Sequence, residues 1–142
     1  MQEVAFTWSA FGELPDAAHD IRNRVFVEEQ GFQEEFDETD RRSYHILLML
    51  DGAACGTARI FWDQKPVMRL GRLALLKPAR GGGHGRAVLE ECRAQARRMG
   101  AHSMVLDAQM RAKGFYEACG FTAVSDVFLE EGYPHYRMEC SL

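Results

Sequence analysis

The chain has 142 residues, 46% hydrophobic and 27% charged, with a formal net charge of −4; that is the scale of one soluble domain able to bury a continuous core without staples. The acidic balance argues against a dedicated nucleic-acid binder, which needs surplus Lys and Arg to neutralise phosphates. No signal peptide opens the chain and no apolar run approaches the ~20 residues of a membrane span, so a cytoplasmic protein with no membrane partner is expected.

Cys55, Cys92, Cys119 and Cys140 are too scattered for a zinc site or a compact disulfide framework, and reduced thiols are expected. No repeat, low-complexity tract or linker interrupts residues 1–142, which reads as one domain.

Along the chain, Ala5 to Trp8 predicts an edge strand. Pro15-Asp16 opens a helical stretch with Ile21, Val25 and Phe26 on one face, ended by Gln30-Gly31. An acidic passage without a period follows, Glu34 to Asp40. His45 to Leu50 reads as a strand that turns at Asp51-Gly52 onto Ala54 to Trp62. Beyond Asp63-Gln64-Lys65-Pro66, Met68 to Leu76 is a third strand.

Pro78 to Gly85 is a glycine-rich break. A helix from Arg86 to Met99 follows, with Val88, Leu89, Cys92, Ala96 and Met99 at three- and four-residue steps, and Gly100 stops it. Ser103 to Ala108 reads as a buried strand and Lys113 to Cys119 as a short helix ended by Gly120. Two strands close the chain, Phe121 to Leu129 and Tyr136 to Cys140, split by Gly132-Tyr133-Pro134. Hairpins, then a strand–helix–strand crossover, then more strands predict an α/β fold of the α+β type. Its sheet is mixed, mostly antiparallel and open, flanked by helices.

The segment from Leu73 to Arg86 is chemically the most informative. A strand enters a turn carrying Gly81, Gly82, Gly83 and Gly85, and the turn enters an amphipathic helix. Bare backbone N–H groups can approach a phosphate there, and the helix N-terminus adds about half a positive charge. Arg80 and Arg86 flank the turn with cationic forks. A P-loop is excluded because Gly85 is followed by Arg86-Ala87 rather than Lys-Ser/Thr. A dinucleotide fingerprint is excluded because Arg86 and Val88 stand where glycine is needed.

Arg80-x-x-Gly83-x-Gly85 resembles the pyrophosphate loop of the Gcn5-related N-acetyltransferases (GNAT). Phe115-Tyr116-Glu117-Ala118-Cys119-Gly120-Phe121 resembles that family's last-helix signature. Val25 to Gln30, Asp107-Ala108-Gln109 and Gly132-Tyr133-Pro134-His135 resemble the small ElaA-like branch. The likeness runs from about Ile21 to the C-terminus, with two departures: the loop proline is Pro78 with Lys77 in its usual place, and Asp107 replaces an Asn.

The resemblance implies the GNAT fold and acetyl-CoA as acyl donor, with no metal. The acceptor would be an amine on a small molecule or a protein. It implies donor contacts from Leu73, Ala74, Leu75, Arg80, Gly81, Gly82, Gly83, His84, Gly85, Arg86, Gln109 and Phe115. The backbone N–H near Leu75 would face the thioester oxygen, and Tyr116 would be the general acid.

For the base three expectations stand: Glu28, His135 and a strand-end His45. Seven acids lie between Glu28 and Asp40, and they read either as a solvated face or as a negative mouth for cationic amines. They are not an EF-hand, since Arg42 takes the glycine position counted from Asp37. Two functions remain open, an N-acetyltransferase working by direct attack in a ternary complex and an acyl-CoA-binding sensor without turnover. A homodimer through the late hairpin near Phe128 to Met138 is a further expectation.

Overall fold

The computed structural model describes residues 2–33 and 36–142. Alternating apolar residues build the first half of the sheet. Strands β1 (Val4–Trp8), β2 (Tyr44–Leu50), β3 (Ala53–Trp62) and β4 (Val67–Leu75) form an antiparallel meander. The β2–β3 turn needs left-handed backbone at both central positions, and Asp51 and Gly52 supply it with φ of 50° and 82°.

Helix α2 (His84–Arg98) crosses over to β5 (Ser103–Gln109), which lies parallel to β4. Its apolar stripe at Val88, Leu89, Cys92 and Ala96 is fully buried in the core, together with Ile60, Met68, Met104 and Met138. Each of the Val, Leu, Ile and Met side chains among them contributes about 1.5–3 kcal/mol when removed from water.

Helix α3 (Lys113–Ala118), β6 (Thr122–Ala123), β7 (Phe128–Glu130) and β8 (Tyr133–Ser141) complete the chain. The sheet order is β1-β2-β3-β4-β5-β8-β6, with β7 also paired to β8. The expected mixed, mostly antiparallel open sheet is observed.

Three boundaries differ from expectation by more than two residues. The stretch after Pro15 is helix α1 only over Asp16–Arg22 and then widens into a π-helical segment, Asn23–Glu29. The strand expected over 121–129 is two short pieces, β6 and β7. The last strand begins at Tyr133 rather than Tyr136, because Glu131 and Gly132, with φ of 49° and 81°, form the tight turn and leave Tyr133 and Pro134 inside β8.

Candidate functional site

The site exists because two neighbouring strands part company. β4 and β5 pair only at Val67↔Ser103, Met68↔Met104 and Arg69↔Val105, and residues 70–75 and 106–109 run on without partners in each other. The cause is a bulge in β4. Against β3 the register moves from Arg59↔Gly71 to Thr57↔Ala74, two steps on β3 for three on β4, and Arg72 takes a φ of 53°. A bulge bends and twists its strand, and here the bend opens a wedge between β4 and β5.

The register also decides which backbone groups face that wedge. The Leu76 N–H donates to the Cys55 carbonyl at 2.8 Å, so that pair is hydrogen-bonded. Antiparallel pairs alternate, so the adjacent pair Gly56↔Leu75 is not, and the Leu75 N–H and carbonyl point away from β3 into the wedge. Arg80 Nε and Nη2 donate to that carbonyl at 3.0 and 2.8 Å.

A cleft of about 500 Å³ opens here, walled by β4, the glycine turn, Phe115 and two residues of the opposite wall, Val25 and Gln30. Of the residues expected at the donor, Leu73, Ala74, Leu75, Arg80, Gly81, Gly83, Gly85, Arg86 and Phe115 line it. Gly82 and His84 belong to the same turn without lining the cleft. Val25 and Gln30 were not expected there.

Among the described residues, no backbone hydrogen bond is donated by the N–H groups of residues 81–86, and no side chain caps α2. Gly81 and Gly83 have φ of 83° and 80°, and open space lies where a Cβ would stand. Free donors, a helix N-terminus and two guanidinium groups are the chemistry of a site for a bound anion. The residues present therefore fit a pyrophosphate.

A second cavity of about 220 Å³ fills the wedge between β4 and β5. Tyr116, His135, Glu130, Glu131 and Asp107 line it, and it shares Leu73 and Gln30 with the cleft. A third, of about 430 Å³, continues outward past Gln109, Arg111, Phe32 and Tyr133. Gln109, expected at the donor, lies instead on this side, where its Nε2 donates to Gln30 Oε1 at 2.9 Å.

Tyr116 packs edge-on against Phe115 and Phe121 and is 8% exposed. Burial pushes its phenol well above the ordinary value, so it holds its proton and acts as a donor. His135 is 4% exposed, and its Nδ1 lies 2.8 Å from the Tyr133 carbonyl. A carbonyl only accepts, so Nδ1 carries the proton and Nε2 is left 3.4 Å from Glu130 Oε2.

Glu28 does not join this group. It is exposed and lines a separate groove with Asp20, Arg24 and Leu76. Nor do the described acids around it form a free negative mouth. Asp40 is fully buried, receives Arg22 and Arg59 at 2.8 Å each, and Arg59 also reaches Asp37 at 2.9 Å. Arg72 approaches Asp37 at 3.6 Å, Glu38 pairs with Arg41, and Glu29 pairs with Arg80. Glu34 and Glu35 lie outside the described residues.

Burial alone would raise the Asp40 carboxyl, but the hydrogen bond and charge of Arg22, with Arg59 behind it, hold it well below the carboxylate range. His45 belongs to this network. Its Nε2–H donates to the Asp40 carbonyl, and burial lowers its pKa, so it is a neutral structural imidazole. Burial also keeps Cys92, Cys119 and Cys140 as thiols. Among the described residues no cluster suited to a metal ion occurs, and no helix is long and apolar enough to cross a membrane.

A splayed β4–β5 pair, a bulged β4 and an anion cradle opening the crossover helix mark an acyltransferase fold. Residues 15–142 match the acetyltransferase (GNAT) domain family, and the chain belongs to that family. It is 34% identical over 130 residues to YjcF of Bacillus subtilis strain 168, described as an uncharacterized N-acetyltransferase, covering 89% of this chain and 91% of that protein. The crystal structure of Escherichia coli ElaA matches with a TM-score of 0.86 and 25% identity, over 97% of this chain and 99% of that one. An acyl-CoA N-acyltransferase from Pseudomonas aeruginosa matches with a TM-score of 0.85 and 26% identity, over 97% and 99% of the two chains.

Proposed function

We propose that this protein transfers an acetyl group from acetyl-CoA to an amine by direct attack, with donor and acceptor bound together. The supporting observation is that the anion-binding cleft and the Tyr116–His135 cavity meet at Leu73 and Gln30. A donor laid along β4 and an amine entering from the other side would converge there.

Acetyl-CoA supplies an activated thioester. The free N–H groups of residues 81–86, with Arg80 and Arg86, would hold its pyrophosphate. The Leu75 N–H, already aimed into the wedge, supplies the preorganised donor for a developing oxyanion, an effect worth about 3 kcal/mol in other enzymes. His135 Nε2 takes a proton from the amine, and Glu130 beside it steadies the imidazolium. Tyr116 donates toward the departing sulfur. Buried cysteines held as thiols support transfer without an acyl-enzyme.

The alternative, a sensor that binds acyl-CoA without turnover, has no use for an oriented His135 beside Glu130. Thiol release from acetyl-CoA over a panel of amines separates the two. Release that depends on one amine class supports transfer, and binding without release across the panel favours the sensor.

A further inference from the structure

Glu29 and Arg80 face each other across the donor cleft. Arg80 Nη2 stands 2.8 Å from Glu29 Oε1, while the same guanidinium is anchored to the Leu75 carbonyl. Glu29 ends the π-helical segment, next to the Gln30 of the cleft wall, and Arg80 leads the glycine turn. The pair is partly exposed, with side chains 26% and 40% accessible. Such a pair is weak and exchangeable.

Glu29 also lines the outer cavity, where, among the described residues, the other charged side chain is Arg111. One carboxylate therefore lines the outer cavity and pairs with an arginine of the donor cleft. While Arg80 neutralises it, Arg111 leaves the outer wall net positive and hostile to an ammonium group. A pyrophosphate carries more negative charge than a carboxylate and competes for the same guanidinium. Once Arg80 turns to the pyrophosphate, Glu29 is free to cancel Arg111. Deeper in, the carboxylates of Glu130, Glu131 and Asp107 then outnumber the guanidinium of Arg72 in the field felt by an entering cation.

We propose that the Glu29–Arg80 ion pair is a strap across the donor cleft which acyl-CoA opens, and that the freed Glu29 then admits a cationic amine. This rests on reading the cleft as the donor site. It makes Glu29 a specificity residue for cationic acceptors and makes binding ordered, donor first. The coupling is reciprocal, so a bound cation also tightens the donor.

The test is calorimetric titration of the full chain, as wild type, Glu29→Gln, Arg80→Ala and the double variant, with CoA and with 1,5-diaminopentane as probes. Glu29→Gln is expected to tighten CoA binding about threefold or more, an effect absent in the Arg80→Ala background. The diamine is expected to bind CoA-saturated wild type about tenfold tighter than free wild type, and Glu29→Gln is expected to remove that difference. Equal diamine binding with and without CoA, absent binding in both included, overturns the proposal. So does CoA affinity unchanged or weakened by Glu29→Gln. A wild-type protein that does not bind CoA overturns the donor reading itself, which separates the two failures.

Discussion

His135 Nδ1 and the Tyr133 carbonyl lie 2.8 Å apart within one strand, and this contact fixes which nitrogen of the ring is available for chemistry. Nε2, the free nitrogen, faces Glu130 on the neighbouring strand β7. His135→Gln is expected to leave acetyl-CoA affinity within about twofold and to lower amine-dependent turnover about 100-fold. Steady-state kinetics at saturating donor measures this, and unchanged turnover would remove His135 as the base.

Tyr116 is buried and keeps its proton, so in the proposed reaction its part is to donate a hydrogen bond to the departing sulfur. Tyr116→Phe keeps the ring contacts with Phe115 and Phe121 and deletes only the hydroxyl. Donor affinity should stay unchanged and kcat should fall about tenfold or more. Equal turnover in both proteins would make Tyr116 a packing residue.

At Gly83 the backbone sits at a φ of 80° with open space ahead. Asp tolerates left-handed backbone better than most residues, so Gly83→Asp should fold with an unchanged circular dichroism spectrum. Its carboxylate would stand in the anion cradle, and acetyl-CoA binding should be abolished. Retained binding would place the donor elsewhere.

Asp40 holds the far side of the site together, since Arg59 bridges it to Asp37, which Arg72 of the β4 bulge also approaches. Its folded pKa is depressed, so its contribution is fully present above the unfolded carboxylate pKa of about 3.9 and is lost as pH falls through the lower folded value. Asp40→Asn leaves two buried arginines short of charge and should cost about 3–5 kcal/mol near neutral pH. The loss of stability on acidification below about pH 4 should also become shallower. Urea unfolding across a pH series reads both. A loss of only a few tenths of a kcal/mol would mean the network contributes little.

The anion cradle was legible in the sequence because it is local. A glycine turn between strand and helix is contiguous in sequence, and each residue's role follows from its neighbours. On the other side of the wedge His135 and Tyr116 were expected, but the pairings around them were not. His135 and Glu130 meet through the β7–β8 turn, Gln30 and Gln109 meet across the wedge, and neither pairing leaves a periodic signal.

The acidic run misled for a related reason. Composition counts Asp37 and Asp40 as free charges, whereas Arg22, Arg59 and Arg72 come from other elements to pair with them. The β4 bulge, which opens the whole site, rests on Arg72 at positive φ, and nothing about an arginine in an apolar strand announces that backbone.

The most direct measurement is a calorimetric titration of the purified protein with acetyl-CoA. One donor bound per chain, with the binding lost in Gly83→Asp, is the expected result. A wild-type protein that shows no binding would contradict the assignment of the cleft between Leu75, Arg80 and Gly83 to the acyl donor.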